Sequence, residues 1–190
     1  MDPYSDDAAV LVKLEALEIP GSFLIKGHRT RDARGGFRKV IGLPDVAPEA
    51  PIPLTVVEAA VSTNKRSGTV RGLHYQAPPD EQAKTIWLEH GAVFDVIVDI
   101  RPGSATFGRS VSLELSASED VAVHMPRGVA HGFQTLVDDT TMVYLMDAPY
   151  APRSARTLRW DDPHLGIAWP LAPTQISASD QEGASWPPRS

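Results

Sequence analysis

Residues 68–76 read Gly-Thr-Val-Arg-Gly-Leu-His-Tyr-Gln, and they combine a segment typical of a β-strand with a cluster of polar side chains. Side chains alternate between the two faces of a strand, so His74 and Gln76 lie on one face. Arg71 has the opposite parity and joins them only if Gly72 allows a β-bulge. A histidine buried in an apolar interior is costly unless it is hydrogen-bonded, so His74 is either a satisfied core residue or part of a site.

Short alternating segments on both sides of this stretch predict a chain built almost entirely from strands. Residues 110–116 alternate apolar and polar positions, and His90-Gly91 separates two strand-like runs as a hairpin turn. Strands are predicted at residues 23–27, 56–63, 69–76, 83–89, 92–101, 110–116, 121–124, 132–136 and 141–147. Many short strands with glycine and proline between them favour an all-β fold, a sandwich or a jelly-roll barrel.

The ends of the chain and one internal segment show other patterns. Apolar residues at helical spacing predict a short helix over residues 8–17. Four prolines within residues 44–53 predict a loop or extended connection, and seven prolines after residue 147 predict an irregular C-terminal segment. We expect one domain over residues 1–190, with roughly 20 N-terminal and about 10 C-terminal residues at its periphery.

Composition excludes several classes of chemistry. The chain has 190 residues, no cysteine, 18 basic and 24 acidic residues, and a net charge of −6. The lack of cysteine rules out disulfides, thiolate nucleophiles, zinc ribbons and iron–sulfur clusters, and the acidic balance disfavours nucleic-acid binding. The sequence has neither an apolar window long enough for a membrane span nor the pattern of a signal peptide. We therefore expect a cytoplasmic protein with no membrane or nucleic-acid partner.

A second polar cluster, residues 126–133, reads Pro-Arg-Gly-Val-Ala-His-Gly-Phe. Together the two clusters resemble the paired motifs of the cupin superfamily, a small β-barrel. The first cupin motif, Gly-x5-His-x-His-x3–4-Glu, is met by Gly68, His74 and Glu81, but Gln76 stands where the second histidine belongs. The second motif, Pro-x-Gly-x-x-His, is met in full.

The cupin resemblance raises one alternative function. His74, Glu81 and His131 could form a two-histidine, one-carboxylate triad that holds a first-row metal in an oxygenase or isomerase. The glutamine at position 76 weakens this hypothesis, because a neutral amide is a poor ligand. A non-catalytic cupin that binds a sugar nucleotide or carbohydrate is a further alternative.

A closer resemblance extends from residue 23 to residue 180. The sequence is similar to the dTDP-4-dehydrorhamnose 3,5-epimerase family in the following runs, in this order: Asp32-x-Arg34-Gly35-x-Phe37, Ser62-x-Asn64-x3-Gly68-Thr69-x-Arg71-Gly72-Leu73-His74-Tyr75-Gln76, Asp95-Val96-x-Val98-Asp99, Ser104-x-Thr106-Phe107-Gly108, Ala130-His131-Gly132-Phe133, Tyr150-x-Pro152 and Asp161-Asp162-Pro163. The resemblance implies a cupin-type jelly roll and a cofactor-independent epimerase that needs no metal.

The resemblance also implies a reaction and its catalytic residues. The C4 ketone of a nucleotide-linked 4-keto-6-deoxyhexose acidifies the neighbouring C–H bonds, so a base can remove a proton and an acid can return one to the other face. By resemblance His74 is the base, Asp180 orients it, and Tyr144 is the acid. Lys84 matches a lysine near the developing enolate oxygen, where a fixed cation stabilises the transition state.

A further set of residues is implied to bind the substrate. Arg71 matches an arginine that contacts phosphate, for which the guanidinium fork is suited. Tyr150 matches the aromatic residue that stacks on thymine, and His131 matches a pocket histidine. Gln76 and Asn64 complete the set within the chain.

Arg34 and Phe37 are implied to act in trans. In the family, Arg34 matches a phosphate-binding arginine, and both positions reach into the active site of the other subunit. The resemblance therefore implies a homodimer with exchanged N-terminal strands.

The sequence departs from the family at the nucleotide end of the site. A family glutamate is Lys39 here, the Gln-x-Asn segment that reads the base is Glu58-Ala59-Ala60, and a later acidic position is Ala155. Tyr150 is retained, so dTDP is the favoured carrier. The choice among epimerisation at C3, at C5 or at both depends on the shape of the pocket and is left open.

Overall fold

The computed structural model of the chain describes residues 12–41 and 55–187. In these ranges it contains thirteen strands and one short helix. They are β1 (Lys13–Ala16), β2 (Phe23–Lys26), β3 (His28–Asp32), β4 (Gly35–Lys39), β5 (Glu58–Asn64), β6 (Val70–Gln76), β7 (Lys84–His90), β8 (Ala92–Asp99), β9 (Ser110–Ser116), β10 (Val121–Met125), β11 (Val129–Thr135), β12 (Thr140–Met146), β13 (Ala155–Thr157) and α1 (Ala178–Gln181).

Two antiparallel sheets form the jelly roll. The first sheet has the order β1-β2-β10-β7-β12-β5, and the second has the order β13-β6-β11-β8-β9. The main core lies between them, with Ile86 and Met142 from the first sheet packed against Ile97 and Phe133 from the second. Such burial of apolar side chains is the dominant stabilising contribution to a fold of this kind.

The C-terminal segment packs on the outer face of the second sheet. Leu158 and Leu165 are buried there against Leu73 and Val96, and Trp169 and other aromatic residues pack around them. The predicted irregular C-terminal segment is confirmed, because the described residues after position 146 contain only β13 and the four-residue helix α1 as regular elements. That helix lacks the length and apolar character that a membrane-spanning helix needs.

The nine predicted strands are confirmed to within a few residues, but the predicted helix over residues 8–17 is wrong where the structure describes it. Residues 13–16 form β1, in which Leu14 pairs with Ile25 of β2. Val12 is buried next to these residues, so pairing with a neighbouring strand overrides the local helical spacing. Residues 8–11 and the proline-rich stretch 44–53 lie outside the described residues.

A β-bulge in β6 places its polar side chains. Phe133 pairs with Arg71 and His131 pairs with His74. The two pairs are three residues apart on β6 but only two residues apart on β11, so β6 has one extra residue. The backbones approach so closely that a Cβ atom on Gly72 would lie 2.7 Å from the carbonyl oxygen of His131. The condition set by the strand parity is therefore met: a bulge at Gly72 is present, and it brings Arg71 to the same side of the strand as His74.

Strands β3 and β4 form a separate two-stranded hairpin that the sequence patterns did not predict as strands. Its base is fastened to the first sheet by Arg29, whose Nε atom donates to Asp120 at 2.9 Å, and by Arg38, which forms an ion pair with Glu89. The residues of this hairpin are mostly polar and do not alternate with apolar ones, so the sequence lacks the period-two pattern that predicts a strand.

Candidate active site

His74 is paired with a carboxylate from the far end of the chain. Its Nε2 atom lies 2.6 Å from Oδ1 of Asp180. Asp180 is buried in helix α1, where its main-chain N–H donates to the side chain of the N-cap residue Ser177. Burial alone would raise the pKa of Asp180, but the hydrogen bond from His74 and the charge of that ring outweigh it, so the pKa is lowered.

The ionised carboxylate determines which nitrogen of His74 can act as a base. A carboxylate accepts hydrogen bonds and cannot donate them, so Nε2 carries the proton that Asp180 accepts. The Nδ1 atom then holds a lone pair, and the side chain keeps 46% of its surface exposed. This is the arrangement that a general base needs, because the proton it takes makes an imidazolium that Asp180 stabilises.

Tyr144 faces His74 from the opposite sheet. It lies on β12, where it pairs with Ala60 and Ile86 of the neighbouring strands. Its ring makes an edge contact with His131, with 6.0 Å between the ring centroids. His131 is the cross-strand partner of His74, so the phenol and the two imidazoles lie on the inner faces of the two sheets.

The surroundings of Tyr144 keep its hydroxyl protonated. Burial raises the pKa of Tyr144, and the negative charge of Asp95 raises it further, whereas the Arg71 guanidinium acts in the opposite direction. A phenol that holds its proton at neutral pH can donate it to a carbanion or enolate carbon. Each sheet thus contributes a side chain that is chemically able to transfer a proton.

A second imidazole–carboxylate pair lies behind Tyr144. Nε2 of His131 is 2.7 Å from Oδ1 of Asp95, and both side chains are buried. Sequence reasoning did not assign Asp95 to the site. The available signal was its position in the apolar strand β8, because a buried carboxylate must have a partner.

Lys84 places a cation close to the His74 main chain. Its Nζ atom donates to the carbonyl oxygen of His74 at 3.4 Å. Burial lowers the pKa of Lys84 to about 8, because the charged form loses hydration inside the cavity. The ammonium group still predominates at pH 7, where it can stabilise a negative charge that forms beside it.

Arg71 is held by Asn64, which was predicted to bind substrate. Oδ1 of Asn64 accepts from Nε of Arg71 at 2.7 Å, and Nδ2 of Asn64 donates to the carbonyl oxygen of Thr140 at 3.2 Å. Asn64 is buried, whereas Arg71 is exposed. The observed contacts of Asn64 therefore orient the guanidinium.

Gln76, also assigned to the substrate-binding set, bonds to main-chain groups. Its Nε2 atom donates to the carbonyl oxygens of Asp80 and Pro149, and its Oε1 atom accepts from the N–H of Ala151. These bonds involve both ends of the amide. They hold the loop that carries Tyr150.

Tyr150 lies at the rim of the site with its side chain open to solvent. The residue is 64% exposed, and its main-chain N–H donates to Oε1 of Glu58 at 3.0 Å. Glu58 is one of the positions where the sequence departs from the family pattern.

Arg34 and Phe37 are not brought to this cavity within one chain. Both lie on the β3–β4 hairpin; Phe37 is 66% exposed, and Arg34 pairs with Asp32 of its own hairpin at 2.6 Å. Their exposure leaves them able to contact another molecule.

The alternative metal triad of His74, Glu81 and His131 does not form. Across residues 12–41 and 55–187, no three His, Asp or Glu side chains lie close enough together to hold a metal ion. Both histidines instead direct Nε2 at carboxylates, Asp180 and Asp95.

Comparisons with known proteins point to one family. A sequence model of the family described as dTDP-4-dehydrorhamnose 3,5-epimerase matches residues 16–187. A dTDP-4-dehydrorhamnose 3,5-epimerase of Sinorhizobium fredii is 39% identical over 169 residues, which are 85% of this chain and 83% of that protein.

Solved structures agree with the sequence comparison. NovW of Streptomyces spheroides, a 4-keto-6-deoxy sugar epimerase from the novobiocin gene cluster, has a TM-score of 0.87 at 34% identity, covering 92% of this chain and 87% of NovW. ChmJ of Streptomyces bikiniensis, a 3'-monoepimerase solved in complex with dTDP-quinovose, has a TM-score of 0.83 at 33% identity, covering 90% of this chain and 86% of ChmJ.

Proposed function

The chain belongs to the dTDP-4-dehydrorhamnose 3,5-epimerase family, and from this premise we propose how its own residues carry out the reaction. It is an isomerase-class enzyme that acts on a nucleoside-diphosphate 4-keto-6-deoxyhexose, with dTDP as the carrier, and inverts C3, C5 or both. Its relatives are epimerases, so neither the metal-dependent oxygenase nor the non-catalytic cupin is retained as its function.

The observation that carries the assignment of roles is the position of His74 and Tyr144 on opposite sheets, with His131 paired to His74 and in ring contact with Tyr144. The ketone acidifies the C–H bond beside it, and Nδ1 of His74 removes that proton from one face. The electron pair left behind forms an enolate with the carbonyl oxygen. The Tyr144 hydroxyl then donates its proton to the opposite face of the carbon, which inverts the centre.

Three charged groups support these steps. Asp180 keeps the proton of neutral His74 on Nε2 and stabilises the imidazolium after proton abstraction. Lys84 stabilises the enolate oxygen, whose charge is absent from the ground state. Arg71, oriented by Asn64, binds the diphosphate through its free guanidinium edge.

The direct test follows solvent deuterium by NMR in a dTDP-4-keto-6-deoxyglucose substrate. We expect deuterium at C3, C5 or both with the wild-type protein, and a rate about 10²–10⁴-fold lower for His74→Asn. The control His90→Asn changes an exposed histidine that bonds to the carbonyl oxygen of Asp139, and it should exchange at the wild-type rate. Exchange at the full rate in His74→Asn would contradict the assigned base.

We also propose that two copies of the chain exchange their β3–β4 hairpins. Support comes from the exposure of Phe37 and Arg34 and from the ion pair between Arg29 and Asp120 that anchors the hairpin. Each hairpin would deliver Arg34 to the phosphates in the partner's site. Phe37→Glu should shift the protein from dimer to monomer in light scattering and reduce activity, whereas the control Val137→Glu, an exposed apolar residue outside the hairpin, should do neither.

The remaining proposals concern the chain as a whole. A soluble nucleotide sugar is the substrate, so we propose a cytoplasmic location. Residues 1–190 are proposed to act as one catalytic domain, because both sheets contribute to the same hydrophobic core. Limited proteolysis of the native protein should then leave one stable fragment that contains both sheets.

A further inference from the structure

The inner face of the edge strand β5 leads from the partner of Tyr144 toward the Tyr150 loop. Ala60 pairs with Tyr144, and Glu58 pairs with Met146 two positions further along β12. Side chains two residues apart share a face of a strand, so Glu58 lies on the same face as Tyr144, roughly 7 Å along the strand. Ala60, the partner of Tyr144, carries only a methyl side chain.

Glu58 presents one acceptor atom beside an exposed aromatic ring. Its Oε1 atom is engaged by the main-chain N–H of Tyr150. Among the residues that the structure describes, none hydrogen-bonds to Oε2 of Glu58. Tyr150, whose main chain makes this bond, is 64% exposed, so an exposed aromatic residue and a negatively charged acceptor lie on neighbouring positions.

This combination would distinguish between pyrimidines if the base stacks on Tyr150, as the family resemblance implies. An ionised carboxylate accepts hydrogen bonds and cannot donate them. The amino group at C4 of cytosine is a donor that carboxylates accept, whereas thymine and uracil carry an acceptor oxygen at that position. The N3–H of thymine or uracil can still donate to Oε2, but it brings the C4 oxygen close to the same negative charge.

We propose that Glu58 adapts the base subsite to a pyrimidine with an amino group at C4, so that the enzyme also takes cytidine-diphosphate-linked 4-keto sugars. The proposal rests on the function assigned above and extends the range of carriers it accepts. It gives Glu58 a role in specificity beyond the bond that orders the Tyr150 loop.

The test compares CDP and UDP, which differ only at the C4 group and N3 of the base, by calorimetric titration. A hydrogen bond to a charged group contributes enough for us to expect CDP to bind about tenfold or more tightly than UDP. Glu58→Gln keeps an acceptor for the Tyr150 amide and adds an N–H donor, so it should abolish or reverse this preference. Glu114→Gln, an exposed carboxylate on β9 of the other sheet, should leave the preference unchanged.

The proposal is overturned if the wild-type protein binds UDP as tightly as CDP, or if it binds neither nucleotide. It is also overturned if the preference for CDP survives Glu58→Gln, which would mean that Glu58 only orders the Tyr150 loop. Deuterium exchange into the dTDP-linked 4-keto sugar is measured on the same preparations. Exchange without a CDP preference overturns this inference alone, whereas the absence of exchange with both dTDP-linked and CDP-linked sugars overturns the assigned function.

Discussion

Lys84→Met should make the protein more stable and much less active. Burial lowers the pKa of Lys84 from 10.5 to about 8, so the folded state holds this charge less favourably than the unfolded chain does. A pKa difference of that size corresponds to about 3 kcal/mol. Solvent screens part of this free energy, because the side chain is only half-buried. The buried charge therefore lowers the free energy of unfolding by about 2 kcal/mol at pH 7. Methionine fills a similar volume without the charge.

The gain in stability should depend on pH in a defined direction. Below pH 8 the lysine is protonated in both states, and the full cost applies. Between pH 8 and pH 10.5 the unfolded chain binds more protons than the folded one, so wild-type stability rises with pH through this window. The advantage of Lys84→Met should therefore shrink from about 2 kcal/mol at pH 7 toward zero near pH 10.5.

Urea denaturation at pH 7 and at pH 10, combined with turnover measurements, tests both consequences. We expect the lost cation to lower kcat about 10²–10³-fold. Lys65→Met, which changes an exposed lysine, serves as the control and should alter neither stability nor its pH dependence in this way. A variant that is less stable than wild type at pH 7, or one that keeps a kcat within a few-fold, would refute the reasoning.

Two further predictions concern Tyr144 and His124. Tyr144→Phe removes the acid but leaves the base, so NMR should still detect deuterium exchange at the reacting carbon while inversion is lost; if exchange stops as well, Tyr144 is not merely the acid. Burial lowers the pKa of His124 to about 4, below its ordinary value of 6.5, so the unfolded chain takes up this proton first as the pH falls. Stability should fall by up to about 3 kcal/mol between pH 6.5 and pH 4 on this account. His124→Gln, which can keep the bond to Thr85, should show a smaller loss in urea denaturation at pH 7 and pH 4.5, and an equal loss in both proteins would contradict the prediction.

Local pattern was sufficient to predict most strands of the two sheets. Period-two alternation is a property of a few consecutive residues, so β9 (Ser110–Ser116) was predicted at its observed bounds. The same parity argument showed that Arg71 could share a face with His74 only through a bulge at Gly72. The bulge is present, and β6 and β11 approach so closely there that position 72 has no room for a side chain.

Contacts between distant segments had no such local signal. The hydrogen bond between His74 and Asp180 joins residues 106 positions apart, and the motif resemblance suggested it without any geometric reason. Asp95 was recognised as the partner of His131 only from the fold. Likewise, residues 13–16 form a strand because they pair with β2 (Phe23–Lys26). The spacing of apolar residues within 8–17 contains no information about that partner strand.

By itself the sequence determined the all-β class and most strand positions, because these depend on residue chemistry and on neighbours within a few positions, whereas the roles of His74, Tyr144 and Asp180 were assigned through the family resemblance. Only the tertiary structure decided that His74 and Tyr144 lie on opposite sheets with His131 next to both, that Asn64 holds Arg71, and that the carboxylate of Glu58 bonds to the main chain of Tyr150. The physical reason is that sheet packing joins residues far apart in the chain, and the free energy of such contacts depends on the whole fold.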